Sequence, residues 1–357
     1  MSELLADHTT LRLGGTADRL LTHTDPAAWS DLTHAVLREP VVPFVLGGGS
    51  NTIADDAGYP GPVIRMAARG IAARPLDDSA VEVTIQAGEP LSVLVAFAVS
   101  EGLTGIEYLA GIPGTTGAAP IQNTGAYGQQ ISDALARLTV YDWSRRQLAV
   151  FRPEVCGFGY RTSLFKAHPG RWTILEVVLR LTRSTYAAPV TYRHLAQHLG
   201  VPLHTRIPLA EAAQGVMADR CRRGLSLPES GPDARQAGSV FLNPPITAAQ
   251  ADVVRKAGGM VYRDDYNVLR TSAGWLLQLA GHHAGSQLAP GVFCSTRRTL
   301  TLTAHDGATA TAFNIVLQKL ARDVFKMTGI RLPPEPVRPI AAPCVWPDGI
   351  PESSSGS

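Results

Sequence analysis

Two stretches of this chain carry more bare backbone than folding alone explains. Residues 46–51 read LGGGSN, and residues 110–128 read AGIPGTTGAAPIQNTGAYG, with five glycines, two prolines and little that packs a core. Such sequence makes a poor helix and a poor strand. Glycine lets a backbone approach a ligand closely. A strand that runs into successive glycines leaves several amides pointing one way, a nest able to hold a diphosphate. Either loop by itself reads better as an ordinary turn than as a binding site. Neither is a G-x-G-x-x-G fingerprint, because GIPGTTG spaces its glycines by three and GGGSN has no helical pattern directly behind it. A nicotinamide-binding Rossmann domain is therefore not expected.

Three further blocks contain residue types that could do chemistry: CGFGYRTSLFK with Arg161, QAGSVFLNP with Ser239, and LPPEPVRPI with Glu335. Singly, each has a bland reading: a surface ion pair, a small residue at a tight place, a solvated acid. Together with the glycine loops, in this order and spacing, they resemble the UDP-N-acetylenolpyruvoylglucosamine reductase family, type I. The likeness runs from TTLRLGGTA at Thr9 to PPEPVRPI at Ile340.

The resemblance implies an α+β fold: a two-lobed FAD-binding domain of the PCMH/vanillyl-alcohol-oxidase type, residues 1–184, and a smaller α+β substrate-binding domain, residues 185–340. It implies FAD at Gly47, Gly48, Gly49, Ser50 and Asn51, and along Pro113, Gly114, Gly117, Ala118, Ile121, Asn123, Gly125, Ala126 and Tyr127. Neither loop has a His or Cys for covalent attachment, so the flavin is expected to be non-covalent. NADPH is the implied co-substrate and a nucleotide-sugar enolpyruvyl ether the implied substrate, reduced for peptidoglycan synthesis.

Arg161, Ser239 and Glu335 match the family's catalytic arginine, serine and glutamate. In that chemistry the double bond accepts hydride at its terminal carbon, and charge spreads from the adjacent carbon into the carboxylate. Arg161 and a protonated Glu335 can hold that carboxylate, since a like charge nearby raises a carboxylic acid's pKa. Ser239 can supply the proton, a weak acid suited to a strongly basic carbon. Substrate contacts carry over to Tyr127, to Tyr192 as a mobile-loop tyrosine, to Arg220 and Arg223 on a helix, and to Asn243, Tyr262, Arg270 and Arg298. Charge-assisted contacts to a diphosphate are what the arginines supply.

The elements that must position these residues alternate. VPFVLGGGSN reads as a strand breaking at Gly47; VIRMA, VEVTIQAG, LTVYDW and WTILEVVLRLTR read as further strands, and LSVLVAFAVSEG as a helix. Beyond residue 184, LAEAAQGVMADRCRRG is expected to be a helix, AGSVFLNP a strand, SAGWLLQLAG a helix and TLTLTAHDG a strand. TATAFNIVLQKLARDVFKMTG reads as an amphipathic helix stopped by Gly329. The Pro- and Ser-rich residues 341–357 read as a disordered tail.

Composition narrows the classes. The chain has 357 residues, 45% hydrophobic and 17% charged, with formal net charge +2, which gives no case for a nucleic-acid partner. Four scattered cysteines without a CxxC pair argue against disulfides and structural zinc. The longest apolar run, LSVLVAFAV, falls far short of the roughly 20 residues that span a bilayer. A soluble, cytoplasmic monomer without a metal is expected; GHHAG (His282, His283) lacks partner ligands at metal spacing and reads as surface.

Some residues depart from the family pattern. Arginine stands at 223 and 270 where lysine is usual, and lysine appears only at Lys166, Lys256, Lys319 and Lys326. Arg298 replaces a smaller polar residue, and Ala304 falls where asparagine is common. An Arg298 facing the site would add a cation near the substrate carboxylate. That leaves open a paralogue acting on a different enolpyruvyl ether. A flavin-binding module without turnover is the other rival, opposed by the intact Arg161, Ser239 and Glu335.

Overall fold

The structure is a computed structural model and describes residues 3–341. The expected tail lies, Ala341 apart, outside the described residues. The fold is α+β, and the chain forms two compact units.

One unit comprises residues 3–18, Gly49–Tyr59 and Arg223–Pro339. Its four-stranded antiparallel sheet runs in the order Gln236–Ser239, Thr301–Ala304, Val292–Cys294, Gln287–Ala289. The helix Ala310–Thr328 buries Phe313, Val316, Leu317, Leu320 and Val324, the one-sided pattern of a period near 3.6. Thr309 caps its start and Gly329, at φ 67°, ends it. Leu11, Leu13 and Ile53 enter the same core beside Val240, Leu276, Leu302 and Phe313.

The other unit comprises Arg19–Gly48, Pro60–Arg222 and residues 340–341. Its central sheet is antiparallel throughout, in the order Gln147–Phe151, Leu135–Asp142, Trp172–Arg183, Ala80–Gln86, Ile71–Pro75; Leu103–Thr104 also pairs with Trp172–Arg183. A second sheet contains the parallel pair Phe44–Leu46 and Tyr59–Met66. The helix Leu91–Ser100 buries Leu91, Leu94, Val95 and Ala98 in the main core.

These units do not follow a single cut after residue 184. Residues 185–222 belong with the central sheet because the fully buried Glu107 carboxylate accepts from the Ala188 amide at 2.6 Å, while Ala188 O accepts the Tyr108 hydroxyl. Residues 3–18 go with the carboxy-terminal sheet for an equivalent reason. The Thr10 hydroxyl donates to Gln236 O, and Arg235 donates to the carbonyls of Leu11 and Arg12. The AGSVFLNP segment is shorter as a strand than expected. The strand ends at Ser239, Val240 N still donates to Leu300 O at 2.9 Å, and residues 240–242 then bridge residues 333–335.

Candidate functional site

In the unit holding the central sheet, the two glycine stretches meet. A Cβ on Gly47 would stand 2.5 Å from the Thr115 hydroxyl, one on Gly48 3.1 Å from Gly114 Cα, and one on Gly117 2.5 Å from Ala87 Cβ. There is little room for a side chain at these glycines, and at Gly48 backbone runs against backbone. The Thr115 hydroxyl is buried with no hydrogen-bond partner among the described residues, and an orphaned buried hydroxyl is costly unless a ligand completes it. Close-packed glycine backbone beside an unpartnered hydroxyl fits the diphosphate of FAD. Pro113 is exposed in this stretch, and Ala118 and Ile121 are half-buried. The stretch is not all loop: Thr116–Gln122 forms a 3-10 helix around Pro120.

The end of the same stretch adopts backbone that L residues rarely take. Asn123, Tyr127 and Arg161 have φ of 46°, 52° and 53°, values that persist only where the surroundings impose them. Asn123 donates to Gln130 Oε1 at 3.0 Å and accepts from Ser132 N at 3.2 Å. Gly125 and Ala126 pair with Gln130 and Gln129. Arg161 donates to Asn123 O at 3.2 Å and to Gly125 O, and its own carbonyl accepts from Lys166 Nζ at 3.1 Å. The Ser163 hydroxyl donates to Ile121 O at 2.6 Å. The arginine is thus tied to the glycine-rich stretch.

Tyr127 is buried. Its hydroxyl donates at 3.0 Å to Asp219 Oδ2, a fully exposure-free carboxylate on the helix Leu209–Arg222 that also accepts from Arg222. Exposed Tyr192 meets the Tyr127 ring edge-on, centroids 5.6 Å apart. Arg220 is buried on that helix, its Cδ 3.3 Å from where a Gly111 Cβ would be. Arg223 was expected on the same helix but lies one residue past its end, in the turn before Gly224. Asp219 gave no sequence signal, since an acid among arginines reads as a solvated face.

In the carboxy-terminal-sheet unit, Gly49 has φ 62° and a Cβ there would fall 2.1 Å from His8 O, so only glycine fits. Asn51 and its neighbours pair with the segment bearing Glu335: Val337 N donates to Asn51 O at 2.8 Å, Ile53 N to Val337 O at 3.0 Å, and Asn51 Nδ2 to Glu335 O at 3.4 Å. Half-buried Ser50 lies in the turn between them. Ser239 pairs with Thr301 directly after Gly238 at φ 72°. Glu335 N then donates to Val240 O at 3.0 Å. Ser239 and Glu335 therefore ride on hydrogen-bonded neighbouring segments.

Arg298 does reach this place. One Nη donates to the Ser239 hydroxyl at 3.5 Å and the other to the Thr301 hydroxyl at 3.2 Å. Ala304, by contrast, is buried in the core with Val292 and Leu302, where an asparagine amide would need partners. Asn243 donates to the Tyr262 hydroxyl at 2.7 Å and accepts from Ala273 N at 2.9 Å. Arg270 donates to Asn243 O at 2.9 Å and ion-pairs Asp264. Burial pushes the Asp264 carboxyl up, but hydrogen bonds from Arg270, Val268 and Tyr266 and the Arg270 charge outweigh it and hold it below the usual range. His282 is more covered than a surface reading allows, with its ring 3.4 Å from Asp323. Among the described residues no group of three or more His, Cys, Asp or Glu could hold a metal, and no helix is long and apolar enough to cross a membrane.

Residues 18–146 match a family model described as an FAD binding domain, and residues 231–338 match one described as the UDP-N-acetylenolpyruvoylglucosamine reductase C-terminal domain. The UDP-N-acetylenolpyruvoylglucosamine reductase of Thermobifida fusca is 39% identical over 342 residues, covering 93% of this chain and 96% of that protein. The chain belongs to the UDP-N-acetylenolpyruvoylglucosamine reductase family. The reductase of Salinispora arenicola is 38% identical over 93% of each chain. A crystal structure of the family's enzyme from Thermus caldophilus superposes with a TM-score of 0.64 at 27% identity, covering 95% of this chain and 98% of that one. Membership extends through both units of this reductase-family chain, since the two matched regions fall in both.

Proposed function

We propose that the protein reduces UDP-N-acetylglucosamine enolpyruvate to UDP-N-acetylmuramate in cytoplasmic peptidoglycan precursor synthesis, as a monomer with non-covalent FAD and NADPH as co-substrate. The observation that carries the reading is the pairing of the Ser239 and Glu335 segments within a chain of this family. FAD, when bound, supplies the two-electron carrier between nicotinamide and substrate. Gly47, Gly48, Gly49, Ser50 and Asn51, with residues 113–127, are the proposed flavin-binding set. Ser239 is the proposed proton donor to carbon. Arg161 and Glu335 are proposed to hold the substrate carboxylate as charge develops on it. Tyr192, Arg220, Arg223, Asn243, Tyr262 and Arg270 are proposed to bind the nucleotide sugar.

The paralogue reading drew on Arg298 and Ala304. Burial accounts for Ala304, and the relatives at 38–39% identity carry the reductase name, which favours the peptidoglycan precursor. The test is direct. The purified protein should be yellow, release its flavin on acid precipitation, and have its NADPH-reduced flavin reoxidised by the enolpyruvyl nucleotide sugar, which then sustains NADPH turnover. A flavoprotein inert towards that substrate would defeat the reading.

A further inference from the structure

The Arg298 guanidinium can only donate, whereas a hydroxyl has one proton and two lone pairs. Its contact with Ser239 therefore occupies a lone pair of the serine oxygen and leaves the serine proton aimed elsewhere. The arginine is itself held. Its other Nη sits on the hydroxyl of fully buried Thr301, the strand partner of Ser239. Its turn is clamped by Asp233, whose carboxylate accepts from the Ser295 hydroxyl at 3.1 Å, the Thr296 amide at 3.0 Å and the Thr296 hydroxyl at 2.6 Å. The same loop accepts the Gln236 side chain at Asp233 O, 2.7 Å, at the start of the Ser239 strand.

We propose that Arg298 is a positioning residue for Ser239: it orients the hydroxyl for proton delivery and stabilises the alkoxide left behind. The proposal rests on the reductase reading. When hydride reaches the terminal carbon of the substrate, the π pair moves onto the adjacent carbon and its carboxylate. The Ser239 O–H bond then breaks as the new C–H bond forms, and the oxygen keeps the electron pair. A guanidinium already seated on that oxygen meets the charge as it appears. A planar fork spanning two hydroxyls is an arginine geometry that a lysine ammonium cannot reproduce.

The experiment compares Arg298→Ala and Arg298→Gln with wild type in the full-length flavoprotein. Wild type comes first: if the enolpyruvyl nucleotide sugar fails to reoxidise its flavin, the reductase reading itself falls. Given an active wild type, both variants should slow that reoxidation on the order of 10- to 10²-fold. Flavin reduction by NADPH should stay within about twofold. The calorimetric Kd for the substrate should also hold, and added guanidinium ion should restore part of the rate in Arg298→Ala. Unchanged reoxidation overturns the proposal. So does a Kd that weakens in step with the rate, which would make Arg298 a substrate-carboxylate contact. Equal slowing of both half-reactions, or no rescue by guanidinium, would make its role merely structural.

Discussion

Arg161 and Ser239 are presented by different kinds of backbone. Arg161 is itself left-handed, and its side chain is fastened to the carbonyls of Asn123 and Gly125 in a stretch that is left-handed at Asn123 and Tyr127. Ser239 and Glu335 sit on ordinary paired segments, with Gly238 taking the only unusual angle directly beside them. Strained turns expose a side chain at a cost of order 1–3 kcal/mol each and need a dense local network. Paired segments need little beyond register. Substitutions in the first region should therefore reach stability, and substitutions in the second should reach chemistry.

The largest expected effect is Ser239→Ala. Reoxidation of the flavin by the enolpyruvyl substrate should slow by about 10²-fold or more, the usual size of a lost general acid, with NADPH reduction and melting temperature nearly unchanged. A fall in melting temperature alongside would erase the contrast between the regions. Tyr127→Phe probes the other side. It removes a hydrogen bond to the buried Asp219 carboxylate, a loss of about 2 kcal/mol for a charged acceptor, and thermal unfolding should shift down by several degrees. An unshifted melting temperature would mean that the turn does not depend on this bond.

The smallest effect tests whether stability also reaches the paired region. Asp56 accepts from Ala310 N at 2.7 Å, Thr311 N at 2.8 Å and the Thr311 hydroxyl at 2.6 Å, capping the helix Ala310–Thr328. Desolvation pushes its carboxyl up, but these hydrogen bonds outweigh it and leave it below the usual range. Asp56→Ala should cost about 1 kcal/mol as a lost cap. Because the folded carboxyl is the stronger acid, the stabilisation is present above the ordinary aspartate range and lost as pH falls through the folded value. Denaturant midpoints of variant and wild type should therefore differ at pH 7 and converge in acid. A gap that persists in acid would assign the effect to packing.

Strong periodicity was legible. The strand Trp172–Arg183 and the helices Leu209–Arg222 and Ala310–Thr328 fall where their apolar patterns place them, the helices because each buries one face and the strand because most of its residues are buried on both. The pairing of the Ser239 and Glu335 segments was not, since it joins residues almost a hundred positions apart through backbone groups that every residue shares. Asp56, Asp219 and Asp233 stayed invisible for a related reason. Their roles come from backbone amides, hydroxyls and cations brought to them by the fold, and nothing near them in sequence marks an acid as buried or capping. The 3-10 helix Thr116–Gln122 was hidden by composition, for proline and glycine argue against helix while tolerating short, tight turns.

The carboxy-terminal-sheet unit draws Leu11, Leu13 and Ile53 into its core. A ribosome delivers those residues first, and at ~5–20 residues per second the sheet they belong to emerges only after Arg222. For on the order of ten seconds or more, the opening segment has no core to join. Contacts of such long sequence separation slow folding and leave apolar surface waiting. Synthesis of this protein thus has a built-in interval of exposure, and the segment holding Leu11 and Leu13 is structural material for a portion made much later.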